Sequence, residues 1–568
     1  MSRKVFYFTL ILIISSAAFL MYISRRAPEE ELEPSIPERE IEEETEEPAE
    51  EEMDEEILAM MKLISLRAEE GGLPEVPLVV GHSEKTDVER EYGSPDSQDD
   101  TEEGEYAVYL SEHITVGYED ALVTDLRSYD PDLARITYAH ITEILGEAPK
   151  TSTYTDDENS HLILTYPVSE IYSLKWILDQ NSGDPKNPSA DHISIVMSEE
   201  HPTAVMLKRI HAMSLKEKIG QMVFAGISGI TADDSALALI TEEKVGGIIF
   251  NSPNLKDPEQ TRTYVNTLKA ANEMNEIPLF FGIDQEGGRV SKIPGDLMDI
   301  PSSRKVGEVD DPEFSYELGQ ALGEIVKAYG FNINFAPVLD INSNPQNPVI
   351  GDRSFGDNAL RVSSHGIPLM KGLQDAHVIP TIKHFPGHGD TDVDSHLALP
   401  VIEKSREDLA ALELIPFRNA IEAGADMVMI AHLLLPEIDD KFPSSLSETV
   451  IHDMLRAELQ YKGVVITDDL MMKAIDANYG LDEAAVLSLK AGSDIVMIAG
   501  GYEKVRDVLT ALLDAAVSGE IPEERINQSV RRILLLKDKY EITDAPVEEI
   551  QTERLNELLE ALLNQYMN

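Results

Sequence analysis

Residues 382 to 400 concentrate side chains that can carry a charge or a proton. The segment IKHFPGHGDTDVDSHLALP holds three histidines and three aspartates in a chain with only 14 histidines and no cysteine. Glycine and proline run through the segment and exclude a regular helix or a central strand. The pattern therefore predicts a loop whose titratable groups bind a metal, transfer a proton or are simply solvated.

Further polar side chains stand at the carboxyl ends of five short apolar runs. Each run is rich in β-branched residues, which predicts strands buried on both faces of a parallel sheet. The residues that end these runs are Asp284, Asp340, Lys383 with His384, His432, and Asp468 with Asp469. Active sites of parallel barrels lie at that end of the strands, so we expect these side chains to meet.

Eight such runs between residues 211 and 540 alternate with amphipathic helical segments. The runs are QMVFAG, GGIIFN, PLFFGI, NINFAPV, IPTIKHF, DMVMIAH, GVVITD and DIVMIAG. The segments between them are long enough for crossover helices, which predicts an α/β fold with a (β/α)₈ barrel of the TIM type. A doubly wound open sheet has the same local pattern, but the number of strands favours the barrel.

Several motifs resemble glycoside hydrolase family 3, and they follow that family's order. They are DQEGGRV, FAPVLDI, GDRSFG, KHFPGHGDTDVDSHLALP and GVVITDDLMM. The similarity extends over residues 213–540 and is strongest to the β-N-acetylhexosaminidase branch. It implies an exo-acting retaining enzyme that hydrolyses terminal N-acetylglucosamine from cell-wall fragments, muropeptides or related glycosides.

The resemblance implies roles for three residues in retaining catalysis, which needs a carboxylate nucleophile and an acid/base. Asp468 matches the family nucleophile. The acid/base of this branch is a histidine paired with an aspartate two residues earlier, here His396 and Asp394. Adjacent strand residues point in opposite directions, so Asp469 is expected to make a loop or helix-start contact.

The resemblance also implies a sugar subsite lined by Asp284, Arg353, Lys383 and His384. Each has a simpler explanation as well, such as a pair between Arg353 and Asp352. Lys292 stands where this branch usually has a sugar-contacting arginine, and a point charge in place of a planar fork can change the subsite's strength or selectivity. His432 is a further candidate for the pocket wall, and core packing explains it equally well.

A metal site is the alternative for the titratable loop. His384, His388 and Asp390 could in principle meet one ion. The ammonium of Lys383 beside His384 would repel a cation, and the resemblance assigns neither a metal nor a cofactor. We therefore expect no metal and no cofactor, and we expect His388 to hold the loop in shape.

Composition limits the partners of this 568-residue chain. Its net charge of -58 disfavours binding to nucleic acid and to anionic lipid surfaces.

Basic residues precede nineteen uncharged, mostly apolar residues, 5 to 23, a segment long enough to span a bilayer as a helix. The sequence predicts an anchor at the cell membrane with the catalytic domain outside the cytoplasm, or secretion if a signal peptide is cleaved.

The chain is divided into five predicted segments. Residues 29 to 56 contain seventeen acidic residues and indicate a solvated tether. Two similar stretches further on indicate degenerate copies of a small α+β unit, each with a short helix, a glycine, an acidic turn and aromatic strands. The segments are an anchor or signal segment (1–26), a disordered tether (27–74), an accessory module (75–200), the catalytic barrel (205–545) and a terminal helix (546–568).

Other functions stay open on the sequence alone. A β-glucosidase or an N-acetylglucosaminide phosphorylase of the same family would share most of these residues. A wall-binding protein without activity is a further alternative, although it has no need of a complete nucleophile and acid/base pair. The aglycone, the ligand of the accessory module and the oligomeric state are undetermined.

Overall fold

The computed structural model describes residues 55–567, apart from 102–103, 156–158, 182, 393 and 396–397. The predicted anchor and most of the predicted tether lie outside these residues. Among the helices that are described, none is both long and apolar enough to cross a membrane.

The predicted tether ends earlier than residue 74. Helix α1 (Glu55–Glu69) buries Ile57, Met61, Ile64 and Ala68 in the core of the accessory domain. Their spacing of four, three and four residues places one apolar stripe along the helix. The prediction of a disordered tether was therefore wrong from residue 55 onward: the acidic run ends at Glu56, and residues 57–68 contain no acidic residue and are mostly apolar.

The accessory domain is an antiparallel sheet of eight strands within the described residues. Its spatial order is β1-β2-β3-β4-β8-β7-β6-β5. The strands are β1 (Ser97–Thr101), β2 (Gly104–Tyr109), β3 (Ile114–Glu119), β4 (Leu122–Ser128), β5 (Lys150–Thr155), β6 (Ser160–Pro167), β7 (Tyr172–Asp179) and β8 (Ala190–Met197).

The two halves of this sheet have the same element order. Helix α2 (Lys85–Tyr92) precedes the first four strands, and helix α3 (Tyr138–Leu145) precedes the last four. Each helix ends at a glycine with positive φ, Gly93 at 75° and Gly146 at 78°. The predicted acidic turn after Gly93 is instead the edge strand β1, whose five side chains are all exposed.

Eight parallel strands close into a barrel in the second part of the described chain. The last strand pairs with the first through Val496 and Val223, which excludes the open sheet and confirms the predicted barrel. The eight strands are β9 (Val223–Gly226), β10 (Gly247–Ile249), β11 (Phe280–Ile283), β14 (Ile333–Asn334), β15 (Ile379–Phe385), β16 (Met427–Ile430), β17 (Val464–Asp469) and β18 (Ile495–Ile498). Seven strands lie within a predicted run, and β17 extends one residue beyond its run, to Asp469.

Helices and one small hairpin surround the barrel strands. The hairpin pairs β12 (Gln285–Gly287) with β13 (Val290–Ser291), and a π-helical segment spans Thr449–Glu458. The helices are α4 (Pro202–Ala212), α5 (Leu215–Gln221), α6 (Asp234–Thr241), α7 (Pro258–Ala271), α8 (Ser303–Val309), α9 (Pro312–Ala328), α10 (Ala359–Asp375), α11 (Arg406–Ala411), α12 (Leu414–Glu422), α13 (Lys473–Asp476), α14 (Leu481–Ala491), α15 (Tyr502–Val517), α16 (Glu523–Lys539) and α17 (Thr552–Met567).

Aromatic rings fill part of the barrel interior. The ring of Phe224 lies 6.4 Å from that of Phe280 and 5.7 Å from that of Phe335, measured between centroids. Gly247 leaves the space for this layer, since a Cβ there would come within 2.5 Å of the Phe224 ring. The interior is therefore a packed core, and chemistry is confined to the ends of the strands.

The accessory domain contacts the amino-terminal end of the barrel strands. Lys462, just before β17, donates to Asp87 of α2 at 2.6 Å. Arg531 of α16 donates to Glu84 at 2.6 Å, and Asn527 of the same helix donates to Asp120 at 3.0 Å. These contacts lie at the opposite end of the barrel from the predicted catalytic residues.

Candidate active site

The carboxyl ends of the barrel strands bring the predicted sugar-binding residues together. Asp284 follows β11, and Lys383 with His384 lies in β15. Asp284 accepts from the Nζ of Lys383 at 2.7 Å and from the Nζ of Lys292 at 2.6 Å. Burial alone would raise the pKa of Asp284, but these two ammonium groups outweigh it and hold that pKa well below its usual range. Asp284 is therefore an ionised acceptor.

Lys292 binds within this cluster as well. Its Nζ donates to the Oδ1 of Asn251 at 2.8 Å in addition to Asp284. The lysine that stands in place of the branch's usual arginine thus holds Asp284 in position, and a fifth of its side chain is exposed (23%).

Glu286 is a central residue of the site that the sequence interpretation missed. It accepts from Arg353 through both carboxylate oxygens, at 2.9 and 2.8 Å, and it lies 2.7 Å from the Nζ of Lys383. Burial favours a higher pKa, but the charges of Arg353 and Lys383 lower the pKa of Glu286 to about 2. Arg353 does not pair with Asp352, which accepts instead from Arg289 at 2.8 Å.

The sequence did contain a signal for Glu286. Arg353, Lys383 and Lys292 were all predicted at a subsite that had Asp284 as its one acid. Three cations gathered at one subsite require more than one negative partner. The motif DQEGG offers the second acid two residues after Asp284, where a strand of the small hairpin turns it back toward the site.

Asp340 orients His384 on the neighbouring strand. The Nδ1 of His384 donates to the Oδ2 of Asp340 at 2.6 Å, and its Nε2 accepts from Arg353 at 3.3 Å. Asp340 is fully buried and also accepts from the backbone N–H groups of His384 and His388, at 3.2 and 2.7 Å. Asp340 was identified as a strand-end residue, but its role as the partner of His384 emerges only from the fold.

His388 holds the start of the loop within residues 382–400, as predicted. Its ring contacts Thr391 through Nδ1 at 3.1 Å and Ser395 through Nε2 at 3.3 Å. Burial lowers the pKa of His388 to about 4, with His384 adding to the effect and Asp340 opposing it. His388 is therefore neutral at neutral pH and serves as a structural group.

The loop is also held by groups outside it. The side-chain amide of Asn347 donates to the carbonyls of His388 and Gly389 at 2.8 and 3.0 Å. A Cβ at Gly389 would lie 1.6 Å from the carbonyl oxygen of Ile341, so only glycine permits this approach. These contacts fix the first half of the loop against the segment that follows β14.

Asp390 belongs to an ion-pair cluster rather than to a group of ligands. The Nζ of Lys404 lies 2.7 Å from a carboxylate oxygen of Asp390 and 2.6 Å from one of Glu413, the residue just before α12. In the part of the chain that is described, no group of three histidine or acidic side chains is arranged to hold a metal ion. The predicted alternative of His384, His388 and Asp390 is not assembled, because each of the three already has another partner.

Asp468 lies at the end of β17 with one of its carboxylate oxygens, Oδ1, accepting from the backbone N–H of Asp469 at 2.9 Å. Burial alone would raise its pKa, but His432, His384 and Lys383 outweigh burial and lower it. Asp469 makes the loop contacts expected of it, accepting from the N–H groups of Met471 and Ala499. Asp469 thus has its carboxylate engaged in loop contacts, and Asp468 is the candidate nucleophile of the pair.

Asp394 is carried toward the same end of the barrel by its loop. The carbonyl of the next residue, Ser395, accepts from the N–H of Ala474, six residues after Asp468. This contact joins the loop to the segment that follows β17. Asp394 is half-buried, and His396, the predicted acid/base, lies outside the described residues.

His432 is buried with both ring nitrogens engaged. Nδ1 lies 2.7 Å from the hydroxyl of Ser445, and Nε2 donates to the carbonyl of Asp469 at 3.0 Å. These bonds position the end of β17, and the histidine's charge when protonated would favour the ionised form of Asp468. A direct contact between His432 and a sugar stays a prediction.

Two family profiles match separate parts of the chain. The family described as "Glycosyl hydrolase family 3 N terminal domain" matches residues 214–536, which include every predicted site residue. A second family, described as "Domain of unknown function (DUF4309)", matches residues 61–196 and therefore the accessory domain.

Named relatives match the barrel region. Beta-hexosaminidase A of Pseudoalteromonas piscicida is 33% identical over 329 residues, which are 53% of this chain and 54% of that relative. Beta-hexosaminidase LpqI of Mycobacterium tuberculosis is 33% identical over 332 residues, 57% of this chain and 83% of its own length. A solved family 3 β-N-acetylglucosaminidase from Paenibacillus sp. FPU-7 is 44% identical with a TM-score of 0.59, covering 62% of this chain and 69% of that one.

Proposed function

Because the chain belongs to glycosyl hydrolase family 3, we propose that it is an exo-acting retaining β-N-acetylhexosaminidase that removes terminal N-acetylglucosamine. The activities in the names of its relatives support this substrate. The observation that carries the proposal is the ionised Asp468 at the same barrel end as the buried cluster of Asp284, Glu286, Arg353 and Lys383.

The buried cluster is suited to an uncharged sugar. Asp284 and Glu286 remain ionised, since their pKa values are low, and they accept hydrogen bonds from ring hydroxyls. Lys383 and Arg353 hold both carboxylates and donate to sugar oxygens. The charges are compensated within the cluster, so a neutral ligand can displace water without leaving a buried charge unpaired.

The reaction is a double displacement. The carboxylate of Asp468 attacks the anomeric carbon, and the bond to the leaving oxygen breaks as the imidazolium of His396 protonates that oxygen. The imidazole then takes a proton from water, whose oxygen attacks the anomeric carbon and releases Asp468. Asp394 accepts a hydrogen bond from the imidazole and fixes its tautomer, as in other His–carboxylate pairs.

The test is hydrolysis of p-nitrophenyl N-acetyl-β-glucosaminide by an Asp468→Ala variant. We expect kcat to fall by at least about a thousandfold, since loss of a nucleophile removes the covalent route. Added azide should then restore turnover and give a glycosyl azide of inverted configuration. Asp476→Ala, an exposed aspartate eight residues further on, is the matched control and should behave as wild type.

Undiminished turnover by Asp468→Ala would refute the assignment of the nucleophile. Preference for the matching β-glucoside would refute the acetamido substrate while leaving the site residues in place. Formation of a sugar 1-phosphate when phosphate is added would identify a phosphorylase instead of a hydrolase. The three outcomes therefore test separately which residue is the nucleophile, which sugar is cleaved, and whether water or phosphate accepts it.

We also propose that the enzyme acts on cell-wall fragments outside the cytoplasm, attached to the membrane by residues 1–26. The support is the apolar segment 5 to 23 and the acidic segment that follows it. Fractionation of cells that produce the full chain tests this, with activity in the membrane fraction as the expected result. Activity confined to the culture medium would show instead that the segment is cleaved.

A further inference from the structure

A row of four rings crosses the accessory sheet. Tyr129 stacks on His192 with centroids 4.5 Å apart, His192 meets His161 edge-on at 6.5 Å, and Tyr154 stacks on His161 at 6.5 Å. We call these four residues the ring row. Tyr154 is 54% exposed and Tyr129 is 36% exposed, so the row is open to solvent at both ends.

The ring row lies on the face of the sheet that the helices leave uncovered. Helices α1, α2 and α3 pack on the other face, where Leu174 and Trp176 of β7 are buried in the common core. Alternation places Lys175 and Ile177 on the open face. Because Ile177 is the cross-strand partner of His192, the ring row shares that face.

A second row, of polar side chains, runs beside the rings. Successive cross-strand partners on five neighbouring strands are Lys150, Thr165, Lys175, Ser194 and Arg127. Cations thus occur on alternate strands, spaced by about 10 Å at the usual strand separation. We call Lys150, Lys175 and Arg127 the cation row.

The three cations of the cation row differ in whether they have an acidic partner. Arg127 is paired with Asp125 at 2.7 Å. Neither Lys150 nor Lys175 makes an ion pair with any other residue that the structure describes. Two lysines without acidic partners on one face are unusual for a chain with a net charge of -58, where most cations are expected to find carboxylates. They provide attraction for an anionic group on a ligand.

We propose that this face binds a polysaccharide strand that carries carboxylates. Aromatic rings present a flat apolar surface with a polar rim, which matches the C–H faces of pyranose rings. Tyr129 directly follows β4 and Tyr154 lies in β5, and these two strands are about 19 Å apart at the usual strand spacing, which leaves room for several sugar units. The adjacent lysines bind carboxylates on the strand, so the rings select the sugar and the lysines select the charge.

A single-stranded nucleic acid is the other polymer that rings and cations together can bind. The overall charge argues against it, because each nucleotide adds a negative charge that the rest of the protein repels. A glycan with one carboxylate every few sugars needs only the two or three cations that this face has.

Binding of the full chain to insoluble glycans tests the proposal. Sedimentation with peptidoglycan, whose sugars bear carboxylated peptides, is compared with sedimentation on chitin, which is uncharged. The Tyr129→Ala/Tyr154→Ala double variant should weaken binding to both about tenfold or more, because it removes both exposed rings. Lys150→Glu/Lys175→Glu should weaken binding to peptidoglycan alone. Tyr316→Ala, on barrel helix α9, and Lys62→Glu, on α1, are the controls and should bind as wild type.

Hydrolysis of the soluble aryl substrate is measured for every variant. It should be unchanged, which separates this surface from the active site and from any failure of the proposed activity. Wild-type binding by the double tyrosine variant would overturn the proposal. So would binding of oligo(dT) in preference to either glycan. Unchanged circular dichroism shows that a variant which loses binding is still folded.

Discussion

Lys383 donates to two carboxylates, the buried Glu286 and the partly exposed Asp284, and this sharing makes the three residues one unit. The lysine is buried, and its pKa is raised because its acidic partners outweigh the effect of burial. Removing any member leaves an uncompensated charge in a site where most of the side-chain surface is out of water. Substitutions in this cluster therefore disturb both substrate binding and stability.

Glu286→Gln is the informative substitution, since it keeps the shape of the side chain and removes its charge. Arg353 and Lys383 lose a partner and shift, so we expect kcat/KM on the aryl substrate to fall about a hundredfold. The exposed Glu276→Gln is the control. A Glu286→Gln enzyme within about threefold of wild type would contradict the role of Glu286 in positioning the subsite.

The low pKa of Glu286 also predicts a pH dependence of stability. Its folded-state pKa is about 2, below the ordinary value of 4.5. A depressed pKa stabilises the fold above pH 4.5, and this contribution disappears as the pH falls towards 2. The difference in unfolding free energy between wild type and Glu286→Gln should therefore be largest above pH 4.5 and shrink below it. Urea denaturation at several pH values measures it, and a difference that grows on acidification would contradict the assignment.

At the scale of elements, the loop after β15 is held at both of its ends. Asn347 and Asp340 fix residues 388 and 389, and Ser395 bonds to the segment after β17. The ammonium of Lys404 binds both Asp390, in the loop, and the buried Glu413, outside it. These contacts fix the described residues on either side of Asp394 at the barrel end that carries Asp468.

Lys404→Met tests this anchor. We expect kcat to fall about tenfold with little change in KM, because a displaced loop affects the transition state more than ground-state binding. Lys404→Arg should recover much of the activity by keeping the charge. Lys441→Met, an exposed lysine, is the control. A change confined to thermal stability, with kcat intact, would show that Lys404 supports the fold alone.

At the scale of the whole molecule, the accessory domain is attached to the barrel through charges that keep little solvent exposure. Glu84, just before α2, accepts from Arg531 at 2.6 Å and from Arg532 at 3.4 Å. Arg532 also donates to the buried Asp494 in front of β18. The two arginines of α16 thus link both domains, at the end of the barrel remote from the catalytic residues.

Glu84→Gln tests the coupling of the two domains. Arg531 and Arg532 would lose their shared acid. Breaking a fully buried ion pair costs about 3–5 kcal/mol, and since Glu84 is partly exposed we expect the free energy of unfolding to fall by about 2 kcal/mol. Calorimetry should show the accessory domain melting at a lower temperature. Glu69→Gln, an exposed residue of α1, is the control. An unchanged thermogram would mean that Glu84 does not couple the domains.

Local sequence patterns were sufficient for the barrel and insufficient for the edges of the accessory domain. Apolar β-branched runs predicted all eight barrel strands because a strand buried on both faces leaves an unbroken signal. Edge strand β1 (SQDDT) has no such signal, since its side chains are exposed and its pairing with β2 is made by backbone groups. Helix α1 did carry a local signal, since residues 57–68 are mostly apolar with no acidic residue, but it directly follows the acidic run and was assigned to the tether with it.

The sequence by itself determined the barrel, the family and the positions of Asp284, Lys383 and Asp468, because motifs and strand ends are local. Only the tertiary structure decided the partners. Glu286 meets Arg353 across 67 positions, and Asp340 meets His384 across 44. Such pairs depend on which strands are adjacent in the closed barrel, and the cost of burying a charge then selects the partner. The spacing of residues along the sequence therefore does not show which of these buried charges pair.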